Sequence, residues 1–431
     1  MTKKELNEKL GAILLWVYVA EVGFSIGIEN VFISSVQNTA EFQNQYARSS
    51  TDISIICSVY YIVAALSTLL MPIISRIAAQ YTLLSFTTVL WLLGYLIASL
   101  LVGNFAALVA GTVLKAVSIG IEIYIIPVYI ERNCHTRHRR TIMFGLFQAS
   151  VPLGAVYTET IISTCQDTIG RLWQLCTAPV FPICFILFYL PRNETSIIRI
   201  DSHYDFDRCV SHSMGSPNGT LKSIQKQFRA LRKPNVRRKF WGAILVRQTA
   251  VLCGVPGVIR SSKQISKSLG LPIENYVEVV LYALAACVSV VAVPFMHRFP
   301  KKVVLQVVLV LMGFMYMILF ILNLIYGLQH GSNNNYAQTL AILAVSGLLA
   351  QAGLYFGSIN GLALVCMSEV LPRQAQGICL SISLGLNWMV NSILNIVIAQ
   401  LCKKHAEYMF LALAYTCFIL FVLISVYIKL N

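Results

Sequence analysis

The chain has 431 residues, 57% of them hydrophobic and only 12% charged. Soluble globular domains carry about a quarter charged residues, so that class is excluded. A formal net charge of +15 would suggest nucleic acid in a soluble protein, but here the basic residues follow alternate loops between apolar runs, as they do in membrane proteins.

A hydrocarbon core about 30 Å thick is crossed by roughly 20 apolar residues. Twelve such runs occur, near 12–34, 53–75, 82–103, 105–130, 141–163, 172–190, 241–262, 275–296, 303–327, 338–367, 376–400 and 406–428. The fold class expected is therefore an all-α membrane protein. The first run has no small-residue cleavage site after it and reads as a signal anchor. The seventh carries Arg247 and Arg260, and the tenth is long enough to be two pieces.

Lys3, Lys4 and Lys9 precede the first span. Arg132, Arg137, Arg139 and Arg140 lie between the fourth and fifth, and Arg298, Lys301 and Lys302 follow the eighth. The connection after the sixth holds eleven Lys and Arg residues between Arg192 and Lys239. Opposite loops are short and poorly basic, apart from Lys403 and Lys404. The positive-inside rule puts both termini and the 191–240 connection in the cytoplasm. The sequons at Asn193 and Asn218 fall in that connection and are expected to stay unglycosylated. Twelve cysteines lie mainly in apolar segments without CxxC pairs, as packing residues do; no metal or cofactor is implied.

Residues 191–240 divide the spans into six plus six: an N-terminal bundle over 1–190, a basic cytoplasmic linker, and a C-terminal bundle over 241–431. The linker reads as a solvated segment at the anionic leaflet, with a regulatory loop as the alternative. Weak echoes relate the halves, because transporters are commonly built from repeats around a midplane site. Ser75-Arg76 answers His297-Arg298, and Pro127-Val-Tyr-Ile-Glu131 answers Ser368-Glu369-Val-Leu-Pro372. Arg76, Glu131, Arg139, Arg140, Arg298 and Glu369, at cytoplasmic helix ends, are candidate gate residues that would pair between helices of one half. A role in setting topology explains the basic members equally well.

These stretches resemble the sugar porter family of the major facilitator superfamily. Pro127-Val-Tyr-Ile130, Gly145-Leu-Phe-Gln148 and Gly154 are similar to the family's PVY and Q-x-x-x-x-x-G motifs. Glu369-Val-Leu-Pro372 followed by Asn387-Trp388 and Asn391 is similar to its E-x-F-P and N-W-x-x-N, with the same fifteen-residue spacing from Pro to Asn. Lys267-Ser-Leu-Gly-Leu271 is a further local match. The resemblance implies a major facilitator fold of two six-helix bundles, a small-molecule sugar or polyol substrate, and no enzymatic reaction. A buried amide is costly unless hydrogen-bonded, and sugar hydroxyls satisfy both faces of Gln and Asn. Gln148, Asn387 and Asn391 are the candidate ligands, the last two one helical turn apart. Trp388 is a candidate for stacking on the sugar, or a packing aromatic. For the amides the competing role is interhelical hydrogen bonding.

The sequence also departs from the family. The aspartate and later basics of G-x-x-x-D-R-x-G-R-R are missing after Arg76. The helix-seven motif Q-Q-x-S-G-x-N aligns with Ala250–Pro256, where only Gly254 survives; Gln248 lies two positions away. Where proton-coupled members carry Asp on helix one, this chain has Ser25, which favours a facilitator. Glu29 and Glu122 are candidates for proton coupling, since ionisable groups at membrane depth are costly and a desolvated carboxyl can carry a proton. For Glu122 the alternative is a structural contact with Lys115, seven residues earlier on the same face.

The expectation is a multi-pass, monomeric transporter in contact with lipid, in the plasma membrane rather than an internal one, without nucleic-acid partners. A nutrient sensor or a non-transporting paralogue is the alternative. No Ser/His/Asp, metal or phosphate-loop constellation suggests an enzyme.

Overall fold

In a bilayer every backbone N–H and C=O must be satisfied within the protein, which leaves helices as the solution for apolar runs of this length. The computed structural model describes residues 19–20, 22–28, 31, 50–78, 80–100, 104–133, 136–169, 225–262, 265–266, 277–295, 298–328, 334–372, 375–404 and 406–427. Among these, ten helices are long and apolar enough to span a membrane. Glu29, the sixth span at 172–190, both sequons and most of the linker lie outside the described residues.

The N-terminal group is α1 (Ser50–Ile77), α2 (Gln80–Leu100), α3 (Phe105–Asn133) and α4 (Arg137–Ile169), together with helical residues 22–28 of the first span. The C-terminal group begins with α5, which runs Pro234–Leu252 and resumes as Val255–Arg260. It continues through α6 (Val277–Ala292, extended by a 3-10 turn Val293–Phe295) and α7 (Lys301–Leu328). Next comes α8, made of Asn334–Leu354, a π-helical turn Tyr355–Ile359, and Asn360–Val370. The last two are α9 (Gln376–Lys404) and α10 (Ala406–Tyr427).

The span with two internal arginines and the long tenth span both have irregular geometry. Gly254 takes φ 79° and breaks α5, a conformation open to glycine because it lacks Cβ. It is also the one residue kept from the family's helix-seven motif. The long tenth span stays continuous and absorbs its irregularity in the π-turn, a device found often at functional sites. α5 starts at Pro234, a favourable first helical residue, within the stretch expected to be linker. Residues 225–231 just before it are helical too. From there the Gln227 side-chain carbonyl accepts the Ile378 amide at 3.2 Å, satisfying one of the orphan donors at the start of α9.

Within the N-terminal group α1 and α2 pack on α3; within the C-terminal group α5 packs on α8 and α9, and α7 on α10. The groups meet where α1 packs against α9 and α4 against α6. Close approach depends on small residues: a Cβ on Gly154 of α4 would lie 1.9 Å from the Phe24 carbonyl oxygen, and one on Gly27 would lie 1.9 Å from the Val151 carbonyl oxygen. Gly23 and Gly27 thus form a small-xxx-small seam of the kind that joins membrane helices. Leu66, Leu70, Phe314, Ile393 and Val422 are exposed, an outer surface suited to acyl chains.

Candidate substrate site

Between the groups lies a partly open cavity. Residues 22–28 and α3 contribute Ile26 and Ile123, and α4 contributes Phe147 and Gln148. From the C-terminal group come Arg247 and Arg260 of α5, Tyr282 of α6, Tyr355, Phe356 and Asn360 of α8, and Asn387, Trp388 and Asn391 of α9. The four residues singled out as candidate substrate contacts, Gln148, Asn387, Trp388 and Asn391, all line this one cavity.

Their surroundings separate them. The Asn387 side-chain oxygen is buried and has no hydrogen-bond partner. Asn391 is tied to its own helix, its oxygen accepting from Asn395 Nδ2 at 3.3 Å. Trp388 packs against Tyr60 and Tyr61 of α1, with ring centroids 6.1 and 6.0 Å away, and its indole N–H is buried without a partner. It therefore joins an aromatic cluster bridging the two groups while presenting a donor with no protein acceptor. Gln248 does not line the cavity; its amide donates to the Ser383 carbonyl at 3.3 Å and links α5 to α9.

The π-turn explains part of the lining that sequence reading did not assign. It carries Tyr355 and Phe356, and the Tyr355 hydroxyl donates to Asn360 Oδ1 at 3.4 Å. Arg247 and Arg260 were visible only as irregularities in an apolar span; the structure turns both into the cavity wall. Arg260 sits 5.4 Å from the Tyr61 ring centroid, within the range of a cation–π contact.

The remaining candidates lie elsewhere. Glu122 is buried in the N-terminal group, outside the cavity lining, and accepts from the Trp91 indole and the Ser118 hydroxyl, each at 3.3 Å. Lys115 sits 4.6 Å from the Tyr95 ring centroid. Glu369, at the end of α8, forms an ion pair with Lys301 at the start of α7. Arg298 is exposed, with its guanidinium 5.3 Å from the Phe295 ring centroid. Arg139 is exposed and Arg140 half-buried in the first turn of α4. The side chains of Arg76 and Glu131 lie outside the described set. Among the described residues no group of three or more His, Cys, Asp or Glu is placed to hold a metal.

Two helical groups facing each other across a central cavity that holds amides and arginines in a largely apolar wall, with apolar outer faces, define a multi-pass membrane transporter of the major facilitator fold. The Sugar (and other) transporter family profile matches residues 18–431, and the chain belongs to that family. No curated protein matches the sequence significantly. Among solved structures, the proton:xylose symporter XylE bound to 6-bromo-6-deoxy-D-glucose superposes with TM-score 0.72 at 14% identity, covering 97% of this chain and 96% of that one. The partially occluded inward-open xylose transporter XylE from E. coli gives TM-score 0.69 at 14% identity, with 97% and 98% covered. The human organic anion transporter MFSD10 gives 0.62 at 12% identity, with 98% and 100% covered. At these identities the likeness establishes the fold.

Proposed function

We propose that this protein carries a small hydroxylated solute, a sugar or related polyol, across a membrane by alternating access between its N- and C-terminal bundles, 1–190 and 241–431, joined by the basic 191–240 linker. The observation that carries the reading is the meeting in one cavity of Gln148 from the first bundle and Asn387 from the second, with the Asn387 oxygen left open to a solute hydroxyl. A ligand gripped from both sides draws the bundles together, which is the differential contact a rocking transporter requires. Membership in the family supports transport over a sensing role. The loop charges support cytoplasmic termini. We place the protein in the plasma membrane as a monomer, with the ends of α7 and α8, held by Lys301 and Glu369, as part of the inward gate.

Facilitation is favoured over proton coupling because Glu122 is engaged by Trp91 and Ser118 away from the cavity. The test is uptake of radiolabelled hexoses and polyols into proteoliposomes, with and without an imposed proton gradient. Saturable uptake that Gln148→Ala and Asn387→Ala each reduce at least tenfold, and that ignores the proton gradient, is the expected result. Uptake that requires the gradient in wild type and loses that requirement in Glu122→Gln would make the carboxyl the coupling site. No flux from correctly folded protein would sink the transport reading.

A further inference from the structure

The geometry points to a hydroxylated monocarboxylate, a solute of the sugar-acid class, whose carboxylate is bound by Arg247; this rests on the cavity being the transport site. Arg247 is 7% exposed on α5 and lines the cavity. Its Nε and Nη1 are buried and have no hydrogen-bond partner, and its electrostatic neighbour is the Tyr355 phenol on the π-turn of α8. A guanidinium keeps its charge, and a buried charge without a partner is among the most costly features a fold can hold. At an otherwise well-packed helix such a residue is accounted for by a partner that comes and goes.

The rest of the cavity says what kind of partner. Among the described residues that line it, the charged ones are Arg247 and Arg260, and no carboxylate is with them. Arg260 has local company in the Tyr61 ring, whose centroid is 5.4 Å from its guanidinium. Arg247 keeps its buried Nε–H and Nη1–H open, so the site has room for about one negative charge. A guanidinium fork matches a carboxylate in a paired, bidentate geometry. Asn387 Oδ1 and the Trp388 N–H, both buried and unpartnered, together with Gln148, offer an acceptor and donors for hydroxyls on the same molecule. A neutral hexose satisfies the amides and leaves Arg247 bare, whereas a sugar acid satisfies both.

The experiment uses the purified full-length chain. Thermal stabilisation in detergent and uptake into proteoliposomes are measured with a hexuronate, its neutral parent hexose, the corresponding hexose phosphate and acetate, on wild type, Arg247→Gln and Arg247→Lys. The expected result is stabilisation by the hexuronate at concentrations at least tenfold lower than the neutral hexose, with little response to acetate, which lacks the hydroxyls. Arg247→Gln should remove that preference while raising the melting temperature of the ligand-free protein, because it removes the bare charge. Arg247→Lys, which keeps the charge but loses the fork, should retain weakened binding.

A hexuronate effect that persists in Arg247→Gln, or equal response to neutral and anionic sugars, overturns the inference. A preference for the phosphate ester does so as well. Neutral sugar moved while the acid is ignored removes this inference and leaves the transport reading standing. Acid bound but not moved keeps the carboxylate site and removes transport. If nothing binds and nothing moves, both fall.

Discussion

At the residue scale, the cavity amides divide into those held by protein and those left open. Asn391 accepts from Asn395, and intramembrane hydrogen bonds of this kind average about 0.6 kcal/mol. Asn391→Ala is therefore expected to cost stability of roughly that size with ligand affinity nearly unchanged. Asn387→Ala removes an unpartnered buried acceptor and should leave stability unchanged or slightly improved while ligand affinity falls roughly tenfold, the worth of about one hydrogen bond. Paired thermal melts with and without ligand separate the two effects. Sequence alone presented the two asparagines as one pair on one helical face, and it could not show that a third residue, Asn395, occupies one of them. Arg247 and Arg260 were equally plain in the sequence. Reading them as cavity residues requires knowing which way α5 turns, and that is fixed by packing against α8 and α9.

At the element scale, the first span and α4 are joined backbone to backbone. A side chain on Gly154 meets the Phe24 carbonyl at 1.9 Å, and since the obstacle is backbone there is no rotamer to move aside. Overpacking of well-fitted interiors typically costs about 1–3 kcal/mol, and a clash this deep belongs at or beyond the upper end. Gly154→Ala should yield little monodisperse protein in detergent, whereas Gly242→Ala, whose nearest neighbour is Val370 Cγ1 at 3.5 Å, should behave as wild type. Size-exclusion profiles and melting temperatures check both. The two elements least regular in sequence, the arginine-bearing seventh span and the overlong tenth, are those that break or bulge beside the cavity. Hydropathy gave their existence, since length and apolarity are summed over a window. The Gly254 break and the π-turn at Tyr355–Ile359 depend on single backbone conformations that such a sum does not register.

At the scale of the whole molecule, the ion pair between Glu369 and Lys301 joins α8 to α7 inside one group, so it stiffens a bundle end and does not itself clamp the two groups together. Contact between the groups runs instead through α4 on α6 and through α1 on α9. At the latter seam the Ser381 hydroxyl donates to the Thr68 carbonyl at 2.8 Å and lies 3.3 Å from that of Leu69, beside the Trp388 cluster with Tyr60 and Tyr61. Alternating access requires the groups to move against each other, and a covalent tie across this seam opposes that motion while leaving the cavity intact. Cysteines placed at the partly exposed Leu69 and at Gly385, where an added Cβ would lie 2.9 Å from Leu69 Cγ across the same seam, in a background without other reactive thiols, are expected to lose uptake when joined by a short dithiol-reactive crosslinker and to regain it when a cleavable version is cut. Ligand-induced thermal stabilisation should survive the tie. Uptake that continues at the wild-type rate in fully crosslinked protein would mean that α1 and α9 move as one body, and the rocking axis would then have to pass through this seam.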